Sequence, residues 1–179
     1  MTRRAPRLVL LTLAVCAIAA CVVNISFDMQ KNLVVQTDNV TTSVNQTQAI
    51  NLNDYPDFKN HKGNVKSLDL DSADVTVATI DPSNHATKVS GTVKLRQSCD
   101  AVSATNVEVP VGTLTNFPIT AGSTTKLPGN AQLDTFLMNQ VNGAGTFCVI
   151  VAGSIDAAPV NVTLAVTLHA SLGYDTGLF

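Results

Sequence analysis

Three histidines, His61, His85 and His169, and one acidic cluster, Asp69, Asp71 and Asp74, are the side chains of this sequence best suited to moving a proton or holding a metal. No two histidines stand at metal-ligand spacing and no His-Glu-x-x-His occurs, so no zinc site is expected. The aspartates offer hard oxygen ligands, but the glycine and distal glutamate of a calcium-binding EF-hand loop are missing. Asp69 and Asp71 fall on the outward phase of a strand, where carboxylates are simply solvated. A carboxylate pair could serve glycoside hydrolysis. The chain has no tryptophan and only eight aromatic residues from which to build a sugar platform.

Nucleophiles are no better served. There is no Gly-x-Ser-x-Gly elbow, and Gly153-Ser154 lies in a strand-turn context with no helix directly behind it. Gly143-Ala144-Gly145 reads as a turn, not as a phosphate loop or a dinucleotide fingerprint. The expectation is therefore no enzyme, no catalytic residue, no metal and no cofactor. An acid–base pair would require the fold to bring His169 beside Asp100 or Asp156 in a cleft.

The chain opens with Arg3, Arg4 and Arg7, continues through an apolar run from Leu8 to Ala20, and closes it with Ile18-Ala19-Ala20-Cys21. An export signal has a basic start, an apolar core of roughly 7–15 residues and a small-residue cleavage site. A membrane-spanning helix needs about 20 apolar residues, and here the run ends at Val23, before Asn24, Ser26 and Asp28. This layout resembles the signal peptide and lipobox of a bacterial lipoprotein. The run Ile50-Asn51-Leu52-Asn53-Asp54, then Phe58 and Val65-Lys66-Ser67, resembles uncharacterised sandwich lipoproteins.

That resemblance implies removal of residues 1–20, lipidation of Cys21 and a single lipid-anchored domain over 21–179. Val22 in place of Asp after the cysteine implies the outer membrane of a Gram-negative bacterium. The partners implied are the membrane, through Cys21, and an envelope protein. Two or more acyl chains hold a protein firmly on a bilayer where one binds only marginally. Cys16 would leave with the signal, so Cys99 and Cys148 remain as a pair. In an exported protein these form a disulfide, with two buried free thiols as the alternative.

Without the three leader arginines, eight basic residues face thirteen acidic ones, a net charge of −5. With no basic cluster to displace counterions, nucleic-acid binding is excluded.

Periodicity sets the fold class. Val160, Val162, Leu164, Val166, Leu168, Ala170 and Leu172 alternate with mostly polar residues, the period of two of a half-buried strand. Ile25, Phe27 and Met29 repeat the pattern. Leu68 and Leu70 pass to Ala73, Val75 and Val77 with a change of phase, which predicts a bulge near Ser72. Val89, Val93 and Leu95 lead in phase to Cys99, predicting an inward cysteine. Phe147 to Ala152 is continuously apolar, as a central strand is. Val107, Val109 and Val111 form another strand, and Ile119 is assigned to a further one after Asn116-Phe117-Pro118. Asp81-Pro82-Ser83-Asn84, Ala121-Gly122-Ser123 and Asn142-Gly143 are turn signals between them.

Leu133, Phe136, Leu137 and Val141 recur at helical spacing, with Asn130 as cap and Gly143 as stop. Asp54 to Phe58 reads as one helical turn capped by Asp54, with Pro56 tolerated early. The class expected is mainly β: an antiparallel β-sandwich with one short α-helix and a helical turn inserted. The function expected is a structural or protein-interaction role in the cell envelope. The alternative is a binding module for a small apolar ligand, held between the sheets or beneath the Asn130 to Asn142 helix.

Overall fold

The structure is a computed structural model that describes residues 22–100 and 106–176. The leader and Cys21 lie outside the described residues. Eight strands make up the body: β1 (Val22–Gln36), β2 (Ser43–Asn51), β3 (Val65–Ile80), β4 (Lys88–Arg96), β5 (Glu108–Pro118), β6 (Thr124–Pro128), β7 (Thr146–Ile155) and β8 (Asn161–Asp175). Two short helices interrupt them, α1 (Pro56–His61) and α2 (Ala131–Val141).

The strands form two four-stranded sheets, in the orders β1-β8-β3-β6 and β2-β7-β4-β5. Every pairing is antiparallel. Within the sheets the first strand pairs with the last, the second with the seventh, the third with the sixth and the fourth with the fifth. A ribbon folded at the β4–β5 hairpin and then rolled has this nested order, the double-sheet jelly roll. The expected antiparallel sandwich is therefore what forms.

Alternation dictates the interior. From β8, Val162, Leu164, Val166, Leu168, Ala170 and Leu172 point inward and are buried, and from β1 Phe27, Met29, Leu33 and Val35 join them. β7 is central in its sheet, and Phe147 to Val151 are all buried, as its unbroken apolar run requires. β4 and β7 approach so closely at Gly91 and Gly153, which face each other, that a Cβ on either would meet the other strand's backbone at Ala152 O or Ser90 O. The phase change on β3 is a bulge, with the register shifting between Leu70 and Ser72.

Both helices close the sandwich. Asn130 caps α2, its Oδ1 accepting from the amides of Gln132 at 3.0 Å and Leu133 at 3.1 Å. Asp134 on the same helix accepts the Leu70 amide at 2.8 Å, tying α2 to β3. Phe58 and Phe136 are buried plugs, 0% and 3% exposed.

Four local expectations need correction. Asp54 caps nothing: it ends a 3-10 turn over Leu52–Asp54 capped by Asn51, and α1 begins after Tyr55 with Pro56 first. Cys99 is exposed and not part of a strand, because β4 ends at Arg96. Asn116-Phe117-Pro118 does not break the chain into a new strand. Asn116 adopts a φ of 48° and β5 runs on to Pro118. Ile119 is buried but belongs to no strand, and the strand that follows is β6, with Leu127 alone buried among its five residues.

Candidate functional site

A set of interacting titratable groups that joins three strands lies on the outer face of the β1-β8-β3 layer. Outward positions of β8 carry Asn161, Thr163, Thr167, His169 and Ser171, so the strand alternation itself sets His169 on that face. Register brings Asp28 of β1 directly opposite it. The bulge at Leu70/Ser72 on the other side moves Asp74 within reach. His169 Nδ1 lies 2.7 Å from Asp28 Oδ1, and Nε2 lies 3.2 Å from Asp74 Oδ2. One imidazole thus spans three strands. Beside it, the Ser171 hydroxyl donates to Asp71 at 2.7 Å.

The hydrogen bond to Asp28 raises the His169 pKa above its ordinary value. Burial works against this, and the Asp74 hydrogen bond and the two carboxylate charges add to it. Asp74 Oδ1 is buried without a hydrogen-bond partner. With its ring protonated, His169 is a cross-strand staple between β1 and β3. It is not a catalytic triad: both ring nitrogens face carboxylates, so neither is free to take a proton from a hydroxyl. Ser171 is bonded to a different aspartate, Asp71, and not to the imidazole.

The aspartates paired with His169 in the sequence reading stand elsewhere. The Asp100 amide donates to Ser98 Oγ at 3.2 Å in the segment following β4. Asp156 accepts from the Thr87 and Lys88 amides at 2.8 and 3.0 Å and from the Thr87 hydroxyl at 2.5 Å. These bonds, the Thr87 hydroxyl first, pull its pKa down to about 2. It is a loop clip, not a general acid. His61 stacks on Tyr174 with ring centroids 3.7 Å apart, and His85 is exposed. Among the described residues no group of three or more His, Cys, Asp or Glu could hold a metal ion. Asp28, whose role was missed from sequence, could have been found only from the β1–β8 register. Nothing local marks it.

Cys99 and Cys148 are disulfide-bonded, with Cα atoms 5.4 Å apart. The bridge fastens the segment after β4 to the buried start of β7. Arg96 braces the same segment by donating to the Ser98 and Cys99 carbonyls at 2.8 and 2.9 Å.

The two places proposed for an apolar ligand do not suit one. Between the sheets a cavity of about 10 Å³ is walled by Val35, Val44, Val151 and Leu164 among others, enough for at most a single water. Against α2 an open hollow of about 360 Å³ carries Gln97, Gln132, Asn139 and Gln140. Side-chain amides share its lining with Val107, Val109 and Phe136, so the hollow is open and mixed in polarity, not an enclosed apolar cavity, and the apolar-ligand reading is corrected on both counts.

No family model matches the chain, and no curated protein matches it. Among solved structures it is similar to a chain from Desmodium yellow mottle tymovirus, at 8% identity and a TM-score of 0.35, over 98% of this chain and 95% of that one. It is also similar to the decameric BFDV capsid protein, at 11% identity and a TM-score of 0.35, over 85% of this chain and 98% of that one. Both of these neighbours are viral chains, and the lipoprotein reading is corrected. The lipid-anchored envelope role derived from it is withdrawn with it. At that TM-score, the fold rests on the strand order alone.

Proposed function

We propose that this chain is a non-enzymatic structural subunit, a jelly roll that works through its surfaces by packing against other subunits. Jelly rolls serve as viral capsid subunits, as lectins and as cupins, and fold by itself does not choose among them. The carrying observation is the filled interior: leucine, valine and phenylalanine side chains from both sheets are buried there, and the cavity walled by Val35, Val44, Val151 and Leu164 has a volume of only about 10 Å³. A cupin works inside its barrel, and here that space holds leucine and valine. A lectin-like sugar platform needs exposed rings, whereas every described phenylalanine is buried, and Tyr55 and Tyr174 pack against other rings. Sheet edges and outer faces are what remain for function.

Sedimentation velocity of the full chain over a wide concentration range, with negative-stain imaging of any large species, tests the reading. Concentration-dependent assembly is expected. A monomer at every concentration overturns it.

A further inference from the structure

We propose that the free edge of β1 is the surface through which two copies of this chain join, antiparallel and related by a two-fold axis at Met29. This rests on the assembly reading above and names the contact it would use.

An unpaired strand edge is a row of free amides and carbonyls, and folded proteins guard such edges with prolines, bulges or shortness. Three of the four edges here are guarded or polar. β6 has five residues and ends on Pro128. β5 carries Pro110 and Pro118, and its register with β4 breaks twice. β2 sets Gln46 and Gln48 between its inward Val44 and Ile50. β1 differs. It runs for 15 residues without proline or glycine and pairs with β8 at every position without one shift. Among the described residues no strand lies on its other side. Val22, Val23 and Val34, three of the six exposed large hydrophobics among the described residues, sit on it.

The occupant is indicated by the strand's own sequence. Its inward positions read Val23, Ile25, Phe27, Met29, Lys31, Leu33 and Val35, close to a palindrome about Met29. A two-fold axis normal to the sheet keeps inward residues on one face, so the summed numbers of facing residues must be even. Full overlap satisfies this, with Val22 facing Gln36. It then sets Val23 against Val35 and Ile25 against Leu33, and Lys31 lays its hydrocarbon stem along Phe27. Val23 is 37% exposed and Ile25 only partly buried, so the copy covers what the single chain leaves open. On the outer face Asp28 meets the uncharged Gln30, and no two like charges oppose. Sliding the register by one step sets Asp28 or Gln30 against itself, the first opposing two like charges, and either slide leaves two residues of each strand without a partner.

Gln30 is exposed, so charge can be placed there without disturbing the core. Facing opposite charges stabilise a strand pair and like charges destabilise it, and the two-fold makes each such contact twice. Gln30→Lys is expected to tighten dimerisation of the full chain, and Gln30→Asp to weaken it, by roughly three- to tenfold each. Oxidation of the Asn24→Cys/Val34→Cys double variant is expected to crosslink two chains, and neither single variant should match it. A wild type that assembles while both Gln30 variants leave the constant unmoved, or move it the same way, overturns the β1 contact and leaves the assembly reading standing. A wild type that never assembles overturns both.

Discussion

His169 and Asp28 face each other residue for residue across the β1–β8 ladder, with Nδ1 and Oδ1 2.7 Å apart. This contact fastens the outermost strand of its sheet, and Asp74 extends it to β3. Only a doubly protonated ring can donate to both carboxylates at once.

The His169 pKa is raised in the folded chain, so its contribution to stability is complete below the unfolded value near 6.5 and fades as pH rises through the folded value. Urea midpoints measured against pH for the wild type and His169→Gln should therefore converge as the solution becomes alkaline. Parallel curves across that window would refute the staple. The ring resonances of His169 should titrate above 6.5 in the same samples.

Asp156 titrates in the opposite sense. Its pKa falls to about 2 on folding, so its contribution is present above the unfolded value of 3.8 and is lost as pH drops toward 2. Asp156→Asn should lower the thermal midpoint at neutral pH, and the difference should shrink in acid. A gap that persists undiminished at pH 2 would show that the Thr87–Lys88 clip is not electrostatic.

Cys99 and Cys148 close a loop of sequence separation 49. Loop-closure entropy assigns such a bridge about 4 kcal/mol. Reduction, or Cys99→Ser with Cys148→Ala, should remove a sizeable part of this in equilibrium unfolding. The sandwich should survive, because both cysteines lie at one end of the β4–β7 pair. Unchanged unfolding after complete reduction would contradict this.

Asn130 and Asp134 hold α2 in different ways, one capping its own helix and the other reaching the Leu70 amide. Asn130→Ala should cost about 1 kcal/mol. Asp134→Ala, which strips a partly buried amide of its partner, should cost about 1–3 kcal/mol. Hydrogen exchange separates them: only Asp134→Ala should speed exchange at Leu70.

Much of this architecture was legible because it is written locally. The alternation of β8 and the 3.6-residue spacing from Leu133 to Val141 each concern one element, as does the phase slip at Ser72. What stayed hidden depends on pairing. β6 has one buried side chain, too little for a periodic signal. Cys99 kept the strand phase of Val93 and Leu95, yet β4 stops at Arg96, whose side chain turns back to the carbonyls of the segment beyond. The staple joins residues 141 positions apart, and the bulge that admits Asp74 follows from the ladder with β8. Asp54 looked like a cap by residue type, but Asn51 begins the turn three residues earlier.

The nested pairing also sets an order in time. β1 emerges first of the eight strands during synthesis, and its partner β8 emerges last. Until the ribosome has made nearly the whole sandwich, β1 has neither edge satisfied. Such long-range closure slows folding and leaves an aggregation-prone segment exposed meanwhile. The nascent chain should thus depend on a holding chaperone at the same strand that, once folded, is free to meet a second copy.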